Sequence, residues 1–303
     1  MGIDIKVPDS VDHAAENLTG PLTKAAGNTF GDLWFLALGG ISHRADLRRA
    51  KYAHELQVFQ ANLAQKISCI PEEKLVEPDT QIIIGALSDS QYCVENEDLR
   101  SMFENLIASS LNADTANFVH PSFSSIIRRL SSVDARNLQL FTKTRAFPVA
   151  KYRLIRKDSG GADAISDVFL ANDQVQDITT QATSVSCLAA LGLLKIDYST
   201  QMIAEGKYSA FYDTYEYKAL SEHYKSPTLR TLVHHCNVLT KYGFLRPSGS
   251  PLFSEGTENV PGLENTPVFQ KLFKAFEIYQ KVEIVRGEVD ITPLGDQMLR
   301  VCC

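Results

Sequence analysis

The chain has no surplus of basic residues: 30 Lys and Arg against 36 Asp and Glu leave a formal charge of -6 and a pI near 5.7. Duplex affinity rests largely on neutralising phosphates with clustered cations, so nucleic acid is a disfavoured partner. Six cysteines, Cys69, Cys93, Cys187, Cys236, Cys302 and Cys303, include no CxxC pair. They read as free thiols in a reducing cytoplasm, not as zinc ligands or a redox couple. The opening MGIDIKVPDSVDH joins no basic stretch to an apolar one, so no signal or transit peptide is expected. The uncharged apolar run Leu33 to Ile41 is far shorter than the roughly 20 residues that span a bilayer. Around Gly160-Gly161 the spacing GxxxxGK[ST] of a phosphate loop is missing, leaving a flexible turn.

What is present is ordinary globular material. A hydrophobic fraction of 44% and a charged fraction of 22% over 303 residues support two or three units with cores. Tyr52, Leu56, Phe59, Leu63 and Ile67 recur at helical spacing. After Pro71 and Pro78, the run Gln81 to Cys93 reads as a buried helix, with a strand as the rival. Leu99, Met102, Phe103, Leu106, Ile107 and Leu111 follow the i, i+3, i+4, i+7 rule. Phe123, Ile126, Ile127 and Leu130 line a further face behind Pro121, and Ser131 with Asp134 three later predicts a capping box.

Past Pro148 the pattern loosens, and KDSGGADAISD suggests a linker. Helices are then expected over Thr183 to Leu191 and Leu229 to Tyr242, stopped by Gly192 and Gly243, each with an extended piece after it. Residues 247–267 read as an exposed Pro/Gly/Ser-rich insertion, followed by a short helix from Thr266. Val282 to Ile291 has the alternation of a hairpin turning at Arg286-Gly287, and Thr292-Pro293 opens a closing helix. The predicted fold is mainly α: a helical bundle over 1–147, a linker over 148–181, and a winged-helix-like α+β region over 182–303.

Several stretches resemble the abortive-infection alpha (Abi-alpha) family. They are TGPLTKAAGNTFGDLW, ISCIPEEKLVEPD, EDLRSMFENLIASSLN, VHPSFSSIIRRLSSVDA and LAALGLLKIDY, at 19–34, 67–79, 97–112, 119–135 and 188–198. Their residues are mainly packing and capping types, and the family carries no catalytic motif to transfer. The resemblance implies a bacterial cytoplasmic protein of phage defence, by which an infected cell is arrested or sacrificed. Thr266 to Cys303 lies outside the recognised portion.

Residue by residue, chemistry is hard to assemble. His234 and His235 point about 100° apart on a helix and cannot share an ion unaided, so a packed helix with both histidines flanking Cys236 at a half-exposed edge is expected. His120 before Pro121 suits a helix start better than a general base. Glu95, Glu97, Asp98 and Glu104 gather at a helix N-terminus, where the macrodipole stabilises solvated carboxylates. Tyr208, Phe211, Tyr212 and Tyr215 form an aromatic stripe, extended by Tyr217 and Tyr224, suited to core or interface more than to base stacking. No catalytic residue, cofactor, metal or small-molecule substrate is expected.

The strongest functional signal is AAGNTFGDLWFLALGGI. Gly27 and Gly31 make a GxxxG step beside Leu33, Trp34 and Leu36, which permits close helix approach; the segment is expected either as a buried helix of the core or as a conditionally exposed one that self-associates or contacts a membrane. The expected function is therefore phage defence by non-enzymatic contact with a protein partner, a second copy or a membrane. A DNA-binding regulator using Arg230, Lys241 and Arg246, and a hydrolase with an unrecognised site, are the alternatives.

Overall fold

A computed structural model describes residues 46–245 and 252–303. The chain divides into two compact units, one running to Thr142 and completed by Leu191–Leu193 and Thr292–Cys303, the other made of Lys143–Ala190 and Leu194–Ile291.

The first unit is a helical bundle. Helix α1 (Asp46–Ser68) buries Phe59, Leu63 and Ile67, four residues apart and so on one stripe. The Ile82-Ile83-Ile84 run is helix α2 (Thr80–Ser90), not a strand. Asp79 caps it by accepting from the Gln81 amide at 2.7 Å, and helical spacing then buries Ile83, Ala86 and Leu87 while Ile84 stays exposed. Helix α3 (Glu97–Ser110), capped by Asn96, buries Leu99, Met102, Phe103, Leu106 and Ile107 as the sequence predicts. Two short helices follow, α4 (Phe123–Ile127) and α5 (Ser132–Gln139), the second opened by the predicted Ser131/Asp134 capping box.

The closing helix, α11 in chain order (Pro293–Cys302), belongs to this bundle and not to the C-terminal region where its position in the sequence puts it. Asn105 and Ser109 of α3 donate to the carbonyls of Cys302 and Val301 at 3.0 and 2.9 Å, satisfying two of the carbonyls that a helix end leaves unpaired. Thr292 caps its start as expected, accepting from the Gly295 amide at 3.0 Å.

The second unit is built on a four-stranded antiparallel sheet of order β2-β1-β4-β3, formed by β1 (Ala146–Arg156), β2 (Gly161–Val168), β3 (Leu194–Asp197) and β4 (Tyr279–Ile291). The expected linker thus carries two strands. Buried Tyr152 and Leu154 alternate with the half-exposed Lys151 and Arg153, a period of two, and the paired glycines lie at the hairpin turn. There Ser159 takes φ 67° and Asp158 accepts from the Gly160 amide. Pro148 is tolerated because β2 pairs with β1 only from Ala150 onward.

The predicted hairpin at Arg286-Gly287 is also corrected: β4 runs through it as one strand, pairing with β1 from Asp290 opposite Ala146 to Tyr279 opposite Arg156. The two-stranded wing expected over 282–291 is therefore not formed. Gly287 reflects close approach, not a turn. A Cβ there would lie 2.6 Å from both the Asp197 carbonyl oxygen and Tyr198 Cδ1. Gly287→Ala should destabilise the protein by about 1–3 kcal/mol, the usual cost of overpacking, read as a lower urea midpoint at unchanged m-value.

Around the sheet stand α6 (Ile178–Ala190), α7 (Ser209–Asp213), α8 (Tyr215–Lys225), α9 (Leu229–Lys241) and α10 (Pro267–Phe276). Gly192 and Gly243 take φ of 76° and 74° after α6 and α9, the left-handed C-terminal stop that the sequence predicts. The described part of 247–267 is not merely an excursion. Phe253 stacks on Phe269 at 5.0 Å, and Asn237 exchanges hydrogen bonds with the Phe253 main chain at 3.2 and 2.9 Å.

Candidate interaction surfaces

Gly27, Gly31, Leu33, Trp34, Leu36 and Arg246 lie outside the described residues. Arg230 and Lys241 stand on α9, eleven residues apart and hence on one face, separated by about 16 Å of axis. The Lys241 ammonium is turned to the carboxylates of Asp177 and Glu216, at 3.1 and 3.5 Å. The opposite face of α9 buries Leu232, Val233, His235, Cys236 and Leu239.

His234, His235 and Cys236 do not converge. His234 is half-exposed against Tyr215, whereas His235 is fully buried, a correction to the exposed flank read from sequence. Its partner is a residue the sequence reading passed over: His223 of α8, also buried, with ring centroids 4.9 Å apart. The pair sits among Tyr224, Phe273 and Phe276. His235 Nδ1 lies 3.3 Å from the Leu220 carbonyl and Nε2 3.3 Å from the Tyr224 hydroxyl, so Nδ1 donates and Nε2 accepts; His223 Nδ1 has no partner among the described residues. Desolvation pushes both imidazoles down, His223 to about 4 and His235 to about 3, the second also through its neighbour. No local sequence signal marks the pair, since its members come from different helices.

His120 accepts from the Ser122 amide through Nδ1 at 3.1 Å, in the turn that leads into α4, whose N-cap residue is Ser122. The acidic group does not stay together. Glu97 and Asp98 open α3, but Glu104 is buried and holds Lys66 at 3.2 Å, Asn62 at 3.1 Å and Arg100 Nε at 3.8 Å. Arg100 also reaches Glu55 and donates to the Val94 carbonyl. Asn62, Lys66, Arg100 and Glu104 line a groove of about 370 Å³ in the first unit. Each charge faces an opposite one, which is how buried ions are retained.

The aromatic stripe is broken, because Thr214 ends α7 and caps α8. Tyr208 and Phe211 are core, with the Tyr208 hydroxyl donating to the Gly287 carbonyl at 2.8 Å. Tyr212 packs edge-on against Tyr217 and, with Gln201, Glu283 and Arg286, lines a cleft of about 410 Å³ over β4.

A larger cleft, about 570 Å³, opens between β2 and α6. One wall is the unbroken run Asp163 to Asp167 of β2. The other is Thr179, Ala182, Thr183, Ser186, Cys187 and Ala190, one face of α6, and Lys241 and Tyr242 complete the lining. Asp167 is fixed in the left-handed region at φ 55°. Its carboxylate accepts from Ser186 Oγ at 2.8 Å and from the Tyr198 hydroxyl at 2.9 Å, and its amide donates to that hydroxyl. Asp163 is held below the usual carboxylate range by the Arg153 guanidinium, 2.5 Å away, and by Lys151. Among the described residues, no group of His, Cys, Asp and Glu is placed to hold a metal ion, and no helix is long and apolar enough to cross a membrane.

With the geometry in place, comparison with known proteins decides the family. Residues 51–246 match the family described as abortive infection alpha. The chain belongs to that family. No curated protein and no solved structure matches it. The Abi-alpha span runs from α1 to just past α9 and so includes β1, β2 and β3, but not β4, which stands between β1 and β3 in the sheet. Nor does it include α11.

Proposed function

We propose that this Abi-alpha chain is a cytoplasmic bacterial phage-defence protein that acts by binding, to a protein partner or to further copies of itself, and not by catalysis. Family membership is the observation that carries the reading. It is supported by how the reactive side chains are spent. His235 and Cys236 are sealed in the core, and burial pushes the Cys236 thiol up to about 12, which leaves it protonated and unreactive. Glu104 and Arg100 neutralise each other and their neighbours. The glycine step Gly27/Gly31 with Leu33, Trp34 and Leu36 supplies the self-association or membrane-contact element.

The test is expression of the chain in a phage-sensitive bacterium lacking it, with plaque counts and survival of infected cells as readouts. Fewer plaques with death or arrest of infected cells is the expected result. Gly27→Leu combined with Gly31→Leu should abolish that protection while leaving the urea midpoint of the purified protein unchanged. Undiminished protection by the double variant would remove the glycine step from the mechanism, and no protection against any phage tested would remove the defence role.

A further inference from the structure

Arg286 lies over a tyrosine ring instead of beside a carboxylate, and what its guanidinium is left to bind carries the inference. The guanidinium carbon stands 5.4 Å from the centroid of the Tyr208 ring. That ring is itself fixed: Tyr208 is buried, donates to the Gly287 carbonyl at 2.8 Å and accepts from the Met202 amide at 3.0 Å. Stacking on a ring face positions an arginine without using its N–H groups. Among the described residues the Arg286 side chain has no ion pair and no hydrogen bond. A guanidinium carries five donors in a flat fork, so this one is held in place and still free to take an anion.

The cleft of about 410 Å³ over β4 sets that fork beside aromatic and apolar surface. Tyr212 and Tyr217 line it edge to face, with ring centroids 5.1 Å apart, and Tyr212 is 41% exposed, so much of its ring is open to a guest. Val282 and Ile284 also line it and share a face of β4 with Arg286, since side chains two apart on a strand point the same way. The carboxylate at the cleft, Glu283, is paired with Lys281 and not with Arg286. Sites for small molecules run from about 300 to 1,000 Å³, and a volume near the lower end suits one flat ring system with one charged group.

We infer that this cleft binds a small planar aromatic molecule carrying one anionic group, a phosphate or a carboxylate. The ring packs against Tyr212 and Tyr217 as aromatic pairs do, and the anion accepts two parallel N–H bonds from Arg286. Neither half suffices, because a bare anion leaves the tyrosines unused and a neutral ring leaves the guanidinium unused. The net charge of -6 works against a polyanion, which keeps the inference to small molecules. It goes beyond the reading of the chain as a contact-making protein and does not depend on it.

The test titrates the purified full chain by isothermal calorimetry with adenosine monophosphate and indoleacetate as probes. Adenosine, indole, inorganic phosphate and acetate serve as the separate halves. At least one probe should bind about tenfold or more tighter than either of its halves, and which one binds tells phosphate from carboxylate. Arg286→Gln should weaken that probe by about tenfold or more, and Tyr212→Ala by about threefold or more, while Tyr212→Phe retains it. Both positions are exposed, so thermal unfolding of the variants should be unchanged, which secures the comparison. Failure of both probes to bind overturns the inference, as does binding indifferent to either Arg286→Gln or Tyr212→Ala. Inorganic phosphate bound as tightly as the monophosphate would also overturn it, leaving a bare anion site.

Discussion

A chain ending at residue 246 should fail to fold cooperatively, even though it contains the whole span matched to the Abi-alpha family. The truncation removes β4, the strand that β1 pairs with along its full length and the only one that pairs with β3 among the described residues. What remains of the sheet is the β1–β2 hairpin and a four-residue strand without a neighbour. An isolated two-stranded hairpin is marginal in water. The core of that unit also loses Phe269, Phe276 and Val282, and the bundle separately loses Met298, Leu299, Val301 and Cys302 of α11.

Emptying even one such site costs about 2–5 kcal/mol, and whole domains are stable by only about 5–15 kcal/mol. The expected result is rapid proteolysis and the absence of a sigmoidal urea transition by far-UV circular dichroism. A sharp transition near that of the full chain would show that the last 57 residues are dispensable.

The second large effect is on acid stability and comes from the His223–His235 pair. Both imidazoles are neutral in the folded chain, with values near 4 and 3, while an unfolded histidine titrates near 6.5. The unfolded state therefore binds more protons between roughly pH 6.5 and 4, and stability falls as pH falls through that window. Two histidines kept neutral down to pH 5 cost together about 3–4 kcal/mol relative to pH 7. The rings packed against them offer no compensating charge: Tyr224 from α8, and Phe273 and Phe276 from α10.

Urea titrations at pH 7 and pH 5 check this against His223→Leu/His235→Leu. The wild-type loss should shrink to a small remainder in the double variant. An equal loss in both proteins would place the acid sensitivity elsewhere.

Where the sequence was legible, the determinants were local. The α3 stripe from Leu99 to Ile107, the Ser131/Asp134 box, the Thr292 cap and the stops at Gly192 and Gly243 each depend on residues within a turn or two, and each is found where it was read. Two of the misreadings share one cause. Gly160-Gly161 looked like a linker and Arg286-Gly287 like a turn because a glycine records backbone freedom or close approach without saying which. Only the Tyr198 ring lying across Gly287 resolves the second, and that ring comes from a residue some ninety positions away. The β2–α6 cleft is invisible in the sequence for a similar reason, since β2 reads as a linker and its place in the sheet exists only once the strand order is known.

By itself, then, the sequence determined the α3 stripe, the capping boxes and the glycine stops, because capping and helical periodicity act over a few residues and survive without any tertiary partner. The tertiary structure alone decided the order of the four strands, the return of α11 to the first bundle, and the meeting of His223 with His235. Those features join residues far apart in the chain, and their pairing energy is written in no single segment.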